Sequence, residues 1–288
     1  MPSRIFLDSA DPEHTRELIQ LLGKLDGQTT NPSLVARIPH AQERIARGDL
    51  FSEEELLSLY RQIVQEASQL LPNGSISVEV YADAHTPADD MVRQAREMFS
   101  WIPNAHIKLP ITSAGLEAAH ALAAEGIRVN MTLCFTQEQA AAVYAATAGA
   151  EDVFVSPFVG RLDDRGKNGM DLIKNIIRMY QKGDEHVQVL TASVRSYDHL
   201  MYALALGSDI ITAPYRILKE WGERGKPLPD PSYQYNAGDK LPIAYRDIDL
   251  ARDWRTYDIS HELTDAGLEK FAHDWNALLK TPDGKHGG

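Results

Sequence analysis

The stretch HIKLPITSAGLEAAHALAAEGIRVNMTL, residues 106–133, decides the fold. His106–Leu109 is a short apolar run, Ala114–Ala124 follows with helical spacing, and Val129–Leu133 is a second apolar run. Thr112 or Ser113 can cap the helix that contains Glu117. The unit is strand, helix, strand, and it repeats in both directions. Further strands are predicted at Ile5–Asp8, Gly27–Thr30, Ile76–Val80, Val153–Pro157, Val187–Ala192 and Ile210–Thr212. Helices are predicted at Glu54–Leu70, Ala88–Phe99, Gln137–Ala146, Met170–Tyr180 and Tyr197–Ala205. Asp11-Pro12 and Thr136 add helix starts of their own. Eight such units in about 215 residues point to an α/β fold, a closed (β/α)8 TIM barrel, ahead of an open doubly wound sheet.

The 288 residues are expected to form a single barrel domain, residues 1–288, without an internal linker. An irregular extension is expected at about 220–258, rich in Gly, Pro and aromatics such as Trp221, Tyr233, Tyr235, Tyr245, Trp254 and Tyr257. A lid, an oligomer contact and a packed extension all fit that composition. A terminal helix over roughly Asp265–Leu279 should follow, and Thr281–Gly288 reads as a frayed tail.

Hydrophobic residues make up 43% of the chain and charged residues 24%. With 29 basic and 41 acidic side chains the net charge is −12. That argues against nucleic-acid and anionic-membrane partners, which need clustered positive charge, but not against a small anionic substrate. A lone cysteine, Cys134, leaves no disulfide framework and no thiolate zinc site. No leader and no apolar run of about 18 residues is seen, so a cytoplasmic protein is expected.

In a (β/α)8 barrel the chemistry sits at the C-terminal ends of the strands. Those ends carry Asp8, Thr29-Thr30-Asn31, Glu79, Lys108, Asn130 with Thr132, Ser156, and Ser193 with Arg195. Any one polar strand end is unremarkable; delivery of so many to one rim is not. Lys108 is the most informative, because it interrupts an apolar strand between Ile107 and Leu109 and both faces of such a strand are covered. Burial disfavours an ammonium and makes the amine a usable nucleophile. An ion pair with Glu79 or Asp8 is the plainer reading, and the two are compatible. Arg161 follows strand 6 and Arg195 follows strand 7, where barrels commonly bind phosphate.

Other motifs are absent. Gly160 to Gly166-Lys167 has the wrong spacing for a phosphate loop and continues with Asn168. There is no Gly-x-Gly-x-x-Gly, no Gly-x-Ser-x-Gly, and no H-E-x-x-H or other compact histidine spacing, so no metal is expected. His106 reads as a packed strand histidine, and the alanine-rich Ala140–Ala148 as tight packing against the barrel.

Six segments taken in order resemble the transaldolase family: Leu7-Asp8-Ser9-Ala10-Asp11, Thr29-Thr30-Asn31-Pro32-Ser33, Ile107-Lys108-Leu109-Pro110, Asn130-Met131-Thr132-Leu133, Ser156-Pro157-Phe158-Val159-Gly160-Arg161 and Ala192-Ser193-Val194-Arg195. An echo continues in the last helix around Leu263-Thr264, Gly267, Lys270-Phe271 and Asp274-Trp275. The resemblance implies a (β/α)8 barrel with a Schiff-base lysine on strand 4 and no cofactor. Position by position, it makes Lys108 the imine former and Asp8 the acid–base at the C4 hydroxyl. Glu79 with Thr132 would hold the water of imine formation and hydrolysis. Asn31, Asn130 and Ser156 would bind the dihydroxyacetone hydroxyls, and Arg161, Ser193 and Arg195 the phosphate. Phe158 stands where the aldolase-like members carry tyrosine, and Glu79 where they carry glutamine. Met131 and Val194 replace the more common leucine and phenylalanine, and the extension is unlike compact members.

The resemblance implies transfer of a dihydroxyacetone unit from fructose 6-phosphate or sedoheptulose 7-phosphate to an aldose phosphate, a step of the pentose phosphate pathway. Aldolase-like release of dihydroxyacetone and a sulfonated sugar are alternatives within the chemistry. A barrel that only binds sugar phosphates is the non-enzymatic alternative, and it leaves the lysine and two acids without a purpose. A homo-oligomer is expected.

Overall fold

The computed structural model describes residues 2–230 and 232–280; the frayed tail expected at Thr281–Gly288 lies outside them. Eight parallel strands close in chain order: β1 (Arg4–Asp8), β2 (Gly27–Thr29), β3 (Ser75–Glu79), β4 (Ala105–Pro110), β5 (Val129–Cys134), β6 (Val153–Pro157), β7 (Val187–Thr191) and β8 (Ile210–Ala213). Pairing of β1 with β8 closes the barrel and removes the open-sheet alternative. The strands are apolar because both faces are covered, by packed interior side chains and by the outer helices. The register sets Glu79 beside Lys108, Lys108 beside Asn130 and Asn130 beside Phe154, so one polar row crosses three adjacent strands.

Several element boundaries differ from expectation for local reasons. The turn after β2 holds two unanticipated short helices, Pro32–Val35 and Pro39–Ala46, each opened by a proline whose missing N–H costs nothing at that position. Tyr215–Glu223 is helical and takes the first residues of the expected extension, so the irregular segment runs over 224–261, broken by a 3-10 turn at Trp254–Thr256. The terminal helix spans Glu262–Asn276, shifted towards the N-terminus because the His261 ring caps it by accepting from the Leu263 N–H at 3.2 Å.

The extension is a strap on the flank of the barrel. It stacks Tyr235 on Tyr202 of the helix Tyr197–Ala205. It then bridges Leu241 to the loop before the helix Gly169–Tyr180, where the Asn168 N–H donates to Leu241 O at 2.8 Å. Next it exchanges two hydrogen bonds between Gln137 and Arg246, of 2.8 and 3.0 Å. Gln137 opens the helix Gln137–Ala146, which lies between barrel and strap and is buried from Gln137 through Tyr144. Its alanines Ala140, Ala141, Ala142 and Ala146 are all buried, as close packing of a helix covered on both sides favours. His106 is packed as expected, stacked on Phe154 with ring centroids 3.9 Å apart.

The terminal helix docks on an irregularity in β5. The register slips between Met131 and Cys134, and Leu133 takes a φ of +61°, which a leucine adopts only when its surroundings compel it. The freed Leu133 carbonyl accepts from Thr264 Oγ1 at 3.0 Å. Gln139, fully buried, completes the joint: its amide donates to Thr264 Oγ1 (2.8 Å) and Ile259 O (2.9 Å), and its carbonyl accepts from the Phe135 N–H (2.7 Å). Gln139→Leu keeps the shape but orphans the Phe135 N–H and the Ile259 carbonyl. At about 1–3 kcal/mol per orphaned group, the urea midpoint should report a loss of about 2–6 kcal/mol. A loss under about 0.5 kcal/mol, the scale of an ordinary surface substitution, would remove Gln139 as the tether.

Candidate active site

The C-terminal ends of the strands open into a cavity of about 740 Å³. Lys108 reaches its floor from β4. Its ammonium donates to Thr30 O at 3.2 Å and lies 3.0 Å from Glu79 Oε2, with the two side chains only 4% and 5% exposed. Among the described residues no donor other than this ammonium reaches Glu79 Oε2. Burial pushes the Glu79 carboxyl above the usual range, and the nearby Lys108 charge opposes that rise. Asp8, half-buried at the cavity wall, is also raised by burial, against the pull of Lys108 and a 2.7 Å hydrogen bond from Thr29 Oγ1. Two carboxyl groups and one amine therefore share a largely buried site.

The remaining strand-end residues fall into two groups. Asn130 is fully buried and committed to protein partners: its amide donates to Ser77 Oγ at 3.0 Å and its carbonyl accepts from Ser156 Oγ at 2.6 Å. Ser156 itself lines the cavity. Thr132, two residues beyond Asn130, is buried with its hydroxyl unpartnered among the described residues. Asn31 lines the cavity and caps the helix Pro32–Val35 by accepting from the Leu34 N–H at 2.9 Å; its amide nitrogen has no partner among the described residues.

The second group gathers on the opposite side. Arg161 sits between Phe158 and Phe271, its guanidinium carbon 5.2 and 5.3 Å from the ring centroids. Burial lowers its pKa, the Glu79 charge opposing, and no carboxylate lies within ion-pair distance among the described residues. Ser193 has a φ of +56°, and its carbonyl accepts from the Gly160 N–H at 3.0 Å. A Cβ at position 160 would stand 2.4 Å from that oxygen and 2.3 Å from Arg195 Cγ, so only glycine lets the two loops meet. Arg195, half exposed, forks onto Asp164 at 2.9 and 3.3 Å. Among the described residues no cluster of His, Cys, Asp or Glu is arranged to hold a metal. Cys134 is packed, and burial pushes its thiol up to about 12.

A family model described as Transaldolase/Fructose-6-phosphate aldolase matches residues 5–281. The chain belongs to this family. It is 36% identical over 277 residues to a probable transaldolase of Dehalococcoides mccartyi, covering 96% of this chain and 100% of that relative. A probable transaldolase of Thermoanaerobacter sp. is 35% identical over 272 residues, covering 94% and 96%. A solved 3-hexulose-6-phosphate synthase from Salmonella typhimurium superposes on 78% of this chain and 99% of its own, with a TM-score of 0.46 and 14% identity.

Within this transaldolase-family barrel the sequence reading missed residues that only tertiary packing brings to the cavity. Arg37, Arg165, Arg216 and Lys270 line it together with Arg161 and Arg195. Lys270 had a signal, since it falls in the echo of the final helix; the arginines sit on short helices and loops beyond the strand ends. Tyr60 was missed too. It lies fully buried, its hydroxyl accepting from the Glu79 N–H at 2.8 Å and pairing with Thr30 Oγ1 at 2.6 Å. It therefore fixes both residues that hold Lys108.

The raised Asp8 carboxyl carries a stability consequence. Ionising it costs more in the folded chain than in the unfolded one. The cost is absent below the ordinary carboxylate range, grows as pH rises through it, and is complete above the folded value. Asp8→Asn should therefore melt above the unmodified protein at about pH 7–8, with the gain fading as pH falls towards about 3.5. A difference in melting temperature that does not change with pH would contradict the assignment.

Proposed function

We propose that the chain is a transaldolase that moves a dihydroxyacetone unit between sugar phosphates through an imine on Lys108. The observation that carries this reading is the lysine itself: buried, 3.0 Å from Glu79, at the floor of a cavity ringed by arginines. The unprotonated amine adds to the ketose carbonyl, and loss of water from the carbinolamine gives the imine. Glu79, with its raised carboxyl 3.0 Å from the lysine nitrogen, takes and returns the protons of these steps. Thr132 has an uncommitted hydroxyl with which to hold the water concerned. Asp8 removes the C4 hydroxyl proton, the C3–C4 bond breaks, and its electron pair is held by the iminium as an enamine. The aldose phosphate leaves; an acceptor aldehyde adds to the enamine carbon; hydrolysis frees Lys108. Asn31 and Ser156 orient the dihydroxyacetone hydroxyls, Asn130 acts through Ser156, and Arg161, Ser193 and Arg195 bind the anionic end.

The family name spans aldolases as well, and release of free dihydroxyacetone is the second reading. Phe158 and Glu79 both weigh for transfer. A phenyl ring can neither orient water nor donate a proton to the enamine, whereas a phenol can do both. Sulfonate in place of phosphate would suit the same arginines. No helix among the described residues is long and apolar enough to cross a membrane. A cytoplasmic homo-oligomer in the pentose phosphate pathway accords with the proposed chemistry.

Borohydride with fructose 6-phosphate should inactivate the protein and leave the reduced donor fragment on the peptide containing Lys108. Lys108→Ala should lose at least about 10⁴-fold in kcat, the scale on which covalent machinery acts as a unit. An adduct on another lysine, or retained activity in Lys108→Ala, overturns the mechanism. Phe158→Tyr should raise dihydroxyacetone release at the expense of transfer to erythrose 4-phosphate. An unmodified protein that releases the unit as fast as it transfers it is an aldolase.

A further inference from the structure

We propose that His199, Asp163 and Tyr235 form a clamp that positions Arg195, making the strap over residues 224–261 a working part of the anion site. The proposal rests on the anion-binding role given to Arg195 above. His199 is buried, and its Nδ1 accepts from the Arg195 backbone N–H at 3.2 Å. That bond leaves Nδ1 without a proton, so the neutral ring carries its hydrogen on Nε2. Nε2 lies 3.0 Å from Asp163 Oδ2 and 3.1 Å from the Tyr235 hydroxyl. Asp163 stands at the end of the short helix that carries Arg161, and its other oxygen accepts from the Gly169 N–H at 3.0 Å. Tyr235 comes from the strap, stacked on Tyr202 at 4.9 Å and nearly parallel. A second strap residue, Lys240, lies 3.7 Å from Asp163 Oδ2.

Three chain segments thus converge on one imidazole: the loop after β6, the loop after β7 and the strap. Their meeting point lies directly behind Arg195. On the other side, the Gly160 N–H holds Ser193 O at 3.0 Å. Ser193 has the left-handed backbone of a residue that needs such support. The Arg195 side chain is half exposed, with one ion pair to an exposed aspartate, so its own contacts fix it poorly. Its backbone is where the order comes from, and His199 sets one end of it. Loss of the Tyr235 hydroxyl should loosen the imidazole and spread the positions that Arg195 samples, which weakens anion binding without touching the lysine.

The test uses the full chain with Tyr235→Phe and His199→Gln, the latter keeping a donor towards Asp163 but losing the acceptor for Arg195. Hydrogen exchange of the Arg195 amide should quicken in both. With fructose 6-phosphate, Tyr235→Phe should raise KM about 5-fold at near-constant kcat, the loss expected for one neutral hydrogen bond. With unphosphorylated fructose KM should not move. Adding Tyr235→Phe to Arg195→Ala should cost nothing more. Unchanged amide exchange in both variants overturns the clamp, as does a Tyr235→Phe effect that persists in full on top of Arg195→Ala. If Arg195→Ala itself leaves KM for fructose 6-phosphate unchanged, the anion role of Arg195 fails, while amide exchange still decides the clamp.

Discussion

A positive charge held inside a barrel needs a partner, and the pairing of Lys108 with Glu79 organises the rest of the site. The two occupy neighbouring positions in the register of β3 and β4, so the contact is a property of the sheet and not of a flexible loop. Everything around them serves to keep it. Tyr60 reaches from the helix Glu53–Leu70 to anchor the Glu79 backbone and the Thr30 hydroxyl, and Thr30 in turn supplies the carbonyl that takes the lysine. Buried ion pairs seldom add stability, because desolvation of two charges offsets their attraction. Here a second carboxylate, Asp8, stands close to the pair, and burial raises both the Glu79 and the Asp8 carboxyl.

Strand ends were legible in the sequence because a parallel barrel leaves little freedom there. Once the alternation gives eight strands, Asp8, Glu79, Lys108, Ser156 and Arg195 must arrive at the same rim. The row of Glu79, Lys108 and Asn130 needed only register. Residues on the helices and loops beyond the strands carry no such constraint. Arg37, Arg165 and Arg216 look like ordinary surface arginines until the local turns aim them inward. Tyr60 has the pattern of any core aromatic on an amphipathic helix, and nothing in that pattern distinguishes a hydroxyl that holds the floor of the cavity. Leu133 is a clearer case still. Leucine has no preference for a left-handed backbone, so its bulge is set by Thr264, Gln139 and the docked helix, more than a hundred residues away in the chain for Thr264.

The strap shows the same division. Its composition excluded regular structure but left open a lid, a contact between copies or a packed flank. The path it takes is fixed by single polar contacts, with Gln137, Gln139, Asp171 and Asn175 each taking backbone groups from it. Side chains of this kind compensate for the ladder bonds the strap lacks. They also link its course to two barrel helices, Gln137–Ala146 and Gly169–Tyr180, so a segment with little secondary structure is ordered by the helices under it.

The charge distribution has a kinetic side. The chain as a whole is strongly negative, yet its mouth gathers Arg37, Arg161, Arg165, Arg195, Arg216 and Lys270 against Asp8 and Asp164. An approaching anion is repelled by most of the surface and drawn to one opening, and low-dielectric walls concentrate the field lines there. At physiological ionic strength this guidance reaches about 8 Å. An anion is thus turned with its charged end towards the arginines before any hydrogen bond forms, and added salt slows that capture.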